Sequence, residues 1–285
     1  GGSIGSHFWN ANFYRNQWVE VQRYFQQLNH RAPGLEKGTI LVVNDMPSIQ
    51  LYQDDSLTAL LNWIYAPDNK TEDLDFAMFY LSVRLGSSLP ALEPGLPINK
   101  DFRSLHFSSS TDQLLVVHYA PPGCLRVVDP NQPDRIPLTL PEAMLPVVPL
   151  SNLALIKTNQ IPAASPPENL FDFSETETWC LFFQDAELAA QRGDWQGVAE
   201  ISDQAFAGDD RPNELTEYFV FIEGYLRTGQ LTQALEISEL LSERTEGAFN
   251  ERICNLWQAV QEDDPEHFDQ NLQVQSMIEQ FCSTD

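Results

Sequence analysis

WCLFFQDAELAAQRGDWQGVAEISDQA, residues 179–205, and EYFVFIEGYLRTGQLTQALEISELL, residues 217–241, align without a gap. Gly193 falls on Gly229, Trp195 on Leu231, Val198 on Ala234, and Glu200-Ile201-Ser202 on Glu236-Ile237-Ser238, all at one offset of 36 residues. In each copy apolar residues recur at three- and four-residue spacing, a short turn holds the Gly, and a second stripe follows: Trp195, Val198, Ile201 and Ala205, then Leu231, Ala234, Ile237 and Leu241. That period is helical, and a helix, a Gly turn and a second helix make a hairpin. Two copies predict a helical-hairpin repeat across the last third of the chain.

On either side of this core the pattern changes. Downstream, FNERICNLWQAV and PEHFDQNLQVQSMIEQF suit one more hairpin, polar on one side as a terminal cap would be. Upstream lies the proline-bearing linker IPAASPP, and from Pro130 to Pro167 prolines recur too often for a long helix or a central strand. That segment reads as an extended strap. Before it, QLLVVHYA-PPG-CLRVV alternates like a β-hairpin, with FRSLHFSS as a further short strand. TILVVND, residues 39–45, reads as a buried strand, and LDFAMFYLSVRL, residues 74–85, as a second buried strand or a strand preceded by a helical turn, with SLTALLNWIYA between them as a helix and Ser56 as its expected N-cap. The expected fold class is α+β: a small α/β layer with a β-rich, proline-rich appendage, followed by an all-α hairpin-repeat domain. The expected divisions are an aromatic helix over 1–30, an α/β and β-rich domain over 31–167, and a helical-repeat domain over 168–285.

The N-terminal FWNANFYRNQWVEVQRYFQQL places Phe13/Tyr14, Trp18, Val21, Phe25 and Leu28 at helical spacing, with a large aromatic load. Packing on the following domain explains such a helix. So does a membrane-proximal belt of Phe8, Trp9, Tyr14 and Trp18, because aromatic rings settle at the membrane–water interface. The chain begins at Gly rather than Met, and the expectation is that it was cut from something longer, processed, or engineered to start there.

Among 285 residues, 41 acidic against 16 basic side chains give a net charge of −25, a surface that repels phosphate backbones, so no nucleic-acid partner is expected. No run of about 18 apolar residues is present to span a bilayer. The four cysteines lack CxxC spacing; Cys180 and Cys254 lie on apolar helical stretches and read as small hydrophobes, and they leave the redox compartment open.

Chemistry-bearing motifs are sparse. His7, His30, His106, His118 and His267 are scattered without metal-binding spacing, EDDPEH at 262–267 lacks the ligand order of a calcium loop, and no GxSxG, P-loop or HExxH motif occurs. No metal and no cofactor is therefore expected, and no catalytic residue is assigned. Asn44 and Asp45 end the first strand, with Asp54 and Asp55 in the loop after it, and strand ends are where α/β layers place ligands; these four are the candidate ligand-binding residues. In the repeat, Trp195, Tyr218, Phe221 and Tyr225 are candidate partner-binding anchors, since a few aromatic side chains carry most of the energy of such surfaces.

Two resemblances bear on function. The small, aromatic and Gly positions of the hairpins (Ala189/Tyr225, Gly193/Gly229) resemble the tetratricopeptide repeat, whose period is about 34 residues. NANFYRNQWVEVQRYFQQLNHRAPGLEKGTILV followed by DDSLTALLNWIYAP resembles the tail that follows the last transmembrane helix in large multi-pass bacterial membrane proteins, some of which look like lipid-linked-sugar glycosyltransferases. The second resemblance implies a soluble domain on the extracytoplasmic side of the cell membrane, with a parent membrane domain N-terminal to Gly1. It transfers no catalytic residue, because that family's acidic residues lie in loops near its first membrane helices. The functional expectation is a non-catalytic extracytoplasmic domain of a larger membrane protein that engages a protein or peptide partner through helical repeats. The alternative is an accessory domain that binds an acceptor or sugar for a membrane glycosyltransferase.

Overall fold

The computed structural model describes residues 2–44, 46, 53–160, 163–167, 170–171, 173, 178–263 and 281–282. The fold is mixed α/β, a small sheet with several helices, and the chain divides into two compact units. The first comprises residues 1–131 and 139–176; the second comprises 132–138 and 177–285. Two expected divisions change accordingly. The aromatic helix belongs to the first unit, and seven residues of the proline-rich strap belong to the second.

In the first unit, α1 (Gly2–Arg31) leads to β1 (Ile40–Val43), α2 (Asp54–Tyr65), β2 (Ala77–Tyr80) and one turn of helix, α3 (Leu81–Arg84). A hairpin of β3 (Pro97–Phe102) and β4 (Leu105–Ser110) follows, then β5 (Leu114–His118) and β6 (Arg126–Val127). β2, β1, β5 and β6 form one sheet in that order; β1 pairs in parallel with β2 and β5, and β6 returns antiparallel to β5. β1, β2 and β5 are buried along their whole length, which is why their sequences run apolar without alternating. The strap is not simply extended: Glu142–Leu150 and Leu153–Leu155 wind into 3-10 turns, which tolerate proline. It also reaches the end of α1, where Leu35 pairs with Ile156 and Lys157 N–H donates to Gly34 O.

β2 is a sheet edge, and its open side is closed by side chains. Asp54, Thr58 and Asn62 stand one turn apart on the buried face of α2. Asn62 Oδ1 accepts from Asp75 and Phe76 N–H at 3.0 and 3.2 Å, while its Nδ2 donates to Phe76 O at 2.9 Å. Thr58 Oγ1 accepts from Met78 N–H at 2.9 Å and bonds Met78 O, and Asp54 Oδ2 accepts from Tyr80 N–H at 3.1 Å. Alternate backbone groups of the edge strand thus find partners spaced by four on a helix. This also moves the helix start. Gln53 is the N-cap and Ser56 lies inside the first turn, because α2 begins at the residue that must reach Tyr80.

The second unit holds α4 (Trp179–Gln191), α5 (Trp195–Ala207), α6 (Phe219–Arg227), α7 (Leu231–Arg244) and α8 (Asn250–Asp263). The two interhelical turns are the same turn. Gly193 and Gly229 adopt φ of +73° and +72°, Gly193 N–H donates to Ala190 O as Gly229 N–H does to Leu226 O, and Asp194 N–H donates to Ala189 O as Gln230 N–H does to Tyr225 O. A left-handed residue is required there, which accounts for Gly in both copies. Ser202 and Ser238, also matched, each donate to the carbonyl four residues back. The partner helix expected after α8 lies outside the described residues, apart from Phe281 and Cys282.

Two substitutions test this account. Asn62→Leu keeps volume but strands two buried N–H groups and a carbonyl, so the urea midpoint should fall by the equivalent of about 2–4 kcal/mol. Gly224 has no room for a side chain, since a Cβ there would lie 2.3 Å from Val198 Cγ1. Gly224→Ala should cost about 1–3 kcal/mol in the same measurement, and an unchanged midpoint would mean that α5 and α6 cross more loosely than described.

Candidate functional site

The strand order makes β1 the point where the chain reverses direction: from β1 it moves to β2 on one side, and later to β5 on the other. Open parallel sheets bind ligands outside the carboxyl ends of the strands flanking such a point. Here those ends carry Asn44, directly after β1, and His118, the last residue of β5.

Asn44 continues the pairing of β1 with β5 by side chain. Its Oδ1 accepts from Tyr119 N–H at 3.0 Å and its Nδ2 donates to Tyr119 O at 3.3 Å. That double contact fixes which end of the carboxamide is oxygen. His118 Nδ1 lies 2.9 Å from the same Oδ1, so Nδ1 carries the ring proton. Nε2 is then an acceptor, and Thr139 Oγ1, 2.9 Å away, donates to it. His118 is 2% exposed whereas Thr139 is exposed. Burial, and secondarily the charge of Arg126, pull the imidazole down to about 4, so it is neutral at physiological pH.

Beside this relay is a cavity of about 320 Å³, lined by Asn44, Leu81, Ser82, Leu85, Pro141, Ala143 and Met144. Asn44 is common to both. Among the described residues its walls are apolar apart from Asn44 and Ser82.

The other expected ligand-binding residues are placed differently. Asp45 lies outside the described residues. Asp54 is 1% exposed and takes the Arg84 Nε–H at 2.6 Å besides the Tyr80 amide, while Asp55 pairs with Arg84 and stands 3.8 Å from Lys100 Nζ. Both carboxylates hold α2 and α3 on the strand ends. His118 and Thr139 were passed over in the sequence because neither has a motif; the available signal was a His placed just where an apolar strand stops.

Of the membrane-proximal set, Phe8, Trp9 and Tyr14 are 71%, 64% and 60% exposed, whereas Trp18 is half-buried with its ring 5.5 Å from Phe171. Val21, Tyr24, Phe25 and Leu28 are buried, so α1 packs only from about Gln17 onward.

The expected partner-binding aromatics are corrected by burial. Tyr218, Phe221 and Tyr225 are core residues, 0–3% exposed. Tyr218 and Phe221 pack with Trp179 and Phe206, and Tyr225 donates to Asp203 at 2.7 Å. Trp195 is partly exposed beneath the Arg227 guanidinium, 4.6 Å from its ring centre. What the helices do hold is residues 132–138. Arg135, 9% exposed, pairs with Glu223 of α6, and its Nη1 lies 3.7 Å from Glu187 Oε1 of α4. Asp134 accepts from Arg252 and Asn255 of α8 at 3.1 and 3.0 Å through its carbonyl and carboxylate. Leu138 N–H donates to Glu214 at 3.5 Å. Glu187 Oε1 is buried and accepts no hydrogen bond.

Cys254 corrects its reading as a free hydrophobe, since it is disulfide-bonded to Cys282 and pins the end of the chain to α8. Among the described residues no cysteine is free, no group of His, Cys, Asp and Glu is arranged for a metal ion, and no helix is long and apolar enough to cross a membrane. The EDDPEH turn falls largely outside those residues.

The depressed basicity of His118 has a sign that can be checked. Below pH 6.5 the unfolded chain takes up a proton that the folded chain refuses, so the contribution present above that pH is lost progressively toward pH 4. Between pH 7 and pH 5 the native protein should lose about 2 kcal/mol relative to His118→Gln, measured by urea unfolding at both pH values. Equal losses in both proteins would show that the imidazole titrates normally. No protein-family model, curated protein or solved structure matches the chain, so its function has to be argued from this geometry.

Proposed function

We propose that the second unit is a short tetratricopeptide-like array that binds an extended segment of a protein partner, and that the chain is the extracytoplasmic domain of a larger membrane protein. The observation that carries the reading is the segment 132–138, held on α4, α6 and α8 by contacts to specific side chains. An arginine between a glutamate of α4 and one of α6, and an aspartate beside Arg252 and Asn255 of α8, form a polarity code, which packing alone does not require. The chain's own segment brings Arg135 Nη1 to 3.7 Å from Glu187 Oε1, an ion pair without a hydrogen bond. A partner whose arginine reaches deeper gains that bond and displaces the resident segment. The repeated Gly turn supports the tetratricopeptide-like description, and the paired cysteines suit an oxidising compartment. The exposed rings of α1, on a helix with three arginines and one glutamate in a chain of charge −25, suit attachment beside a membrane surface. The sugar-binding alternative draws less support, because Asp54 and Asp55 are engaged by Arg84.

The test vacates the face. Full-length protein carrying Asp134→Ser and Arg135→Ala, less stable than the native chain but shown to be folded by its circular dichroism and a cooperative urea transition, is titrated into a fluorescent peptide of residues 130–140. Micromolar binding is expected, lost when the peptide's arginine is replaced by alanine or when Glu223→Gln is added to the protein. If the vacated protein binds the native and alanine peptides alike, the face does not recognise peptides.

A further inference from the structure

The Asn44–His118–Thr139 relay has no part in that binding function, and its arrangement is more specific than burial of a histidine needs. Three independent features converge at the sheet's switch point. The Asn44 carboxamide, locked by both backbone groups of Tyr119, sets the tautomer of His118. The ring's remaining lone pair, at Nε2, receives the proton of Thr139, an exposed residue whose hydroxyl makes this half-buried bond. An apolar cavity of about 320 Å³ opens against the same Asn44. A hydroxyl whose proton is already directed at an imidazole, with the imidazole oriented by a third group, is the ground state of an activated nucleophile.

We propose that the first unit carries an acyl-transfer site for small neutral carboxylic esters, with Thr139 as nucleophile, His118 as base, Asn44 as the positioning residue and the cavity as the seat of a short apolar acyl chain. Thr139 Oγ attacks the ester carbonyl carbon, its proton passes to Nε2, and the Oγ–C bond forms. The tetrahedral adduct expels the alcohol, which takes the proton from Nε2. Water then attacks the acyl-threonine carbonyl, again losing a proton to Nε2; the bond to Oγ breaks, Thr139 recovers its proton, and a carboxylic acid leaves. The sum is ester plus water to acid plus alcohol. The substrate class follows from the walls: among the described residues, Leu81, Leu85, Pro141, Ala143 and Met144 offer no charge, and the net charge of −25 disfavours anions.

The full chain is assayed with p-nitrophenyl acetate, butyrate and octanoate. A burst of p-nitrophenolate followed by slower turnover is expected, strongest with butyrate, together with a butyryl adduct on the tryptic peptide that contains Thr139. Thr139→Ser should retain burst and adduct, and Thr139→Val should abolish both. Because Thr139 is exposed, Thr139→Val remains informative even if His118→Gln, expected to slow acylation about 100-fold or more, does not fold. Asn44→Asp, which keeps an acceptor for Nδ1–H, should acylate measurably faster than Asn44→Leu at equal fold stability. Ala143→Phe, filling the cavity, should shift the preference from butyrate to acetate. Absence of burst and adduct with all three esters in folded native protein overturns the proposal, as does hydrolysis that persists unchanged in Thr139→Val.

Discussion

Short strands make poor sheets unless something closes their margins. The principal strands of the first unit are four or five residues long, so much of their backbone lies at an edge or an end. Buried N–H and C=O groups without partners cost about 1–3 kcal/mol each. The unit meets this with side chains that stand in for absent strands. Asp54, Thr58 and Asn62 act as the neighbour of β2. Ser151 Oγ accepts from Val116 N–H and Asn152 N–H donates to Leu114 O, so the strap serves β5 in the same way. Asn44 does so past the end of β1. Such polar side chains specify register, because each works only opposite one backbone group.

That device explains where the sequence was legible. The strands within the apolar runs, Ile40–Val43 and Ala77–Tyr80, the hairpin ending in CLRVV and the repeated Gly turn all come from burial or turn conformation, which leave periodic or compositional marks, whereas the helical turn Leu81–Arg84 that follows the second strand was not expected there. Polar substitution for a strand leaves no such mark. Asp54, Thr58 and Asn62 look like an ordinary helix start and two tolerated polar residues until the edge of β2 is set beside them. Asp54 was accordingly read as a ligand for something else. Asn44 stands out in the sequence by its place at a strand end, but its partners Tyr119 and His118 are some 75 residues away, a distance that spacing rules do not bridge. The aromatic residues of the repeat were misplaced because a hairpin stripe defines an apolar face without saying whether that face is inner or outer.

In the second unit the same logic operates with charge. Glu223 is 6% exposed and bonded by both Arg135 and Arg227, so one of its two carboxylate oxygens depends on residues 132–138 for its partner. Breaking such a buried pair by removing one partner is strongly destabilising, about 3–5 kcal/mol, whereas the intact pair adds little net stability. Its effect is specificity. An arginine is selected at position 135 because its fork bonds Glu223 while coming within 3.7 Å of Glu187 Oε1, an ion pair without a hydrogen bond.

Asn44 joins structure to chemistry in the first unit. Any group able to bridge Tyr119 N–H and C=O would finish the sheet, and a backbone residue would do it as well. Only a carboxamide side chain does so while presenting its oxygen to a third donor, and that donor is the His118 ring. The tautomer of His118 is therefore set by the same bonds that end the sheet, with no additional group to orient it. Burial then keeps the ring neutral, so its remaining lone pair stays available to Thr139 across the physiological range. A fold that needs asparagine at that strand end for its backbone obtains an oriented imidazole without further expense in stability, and an exposed hydroxyl is all that must be placed against it.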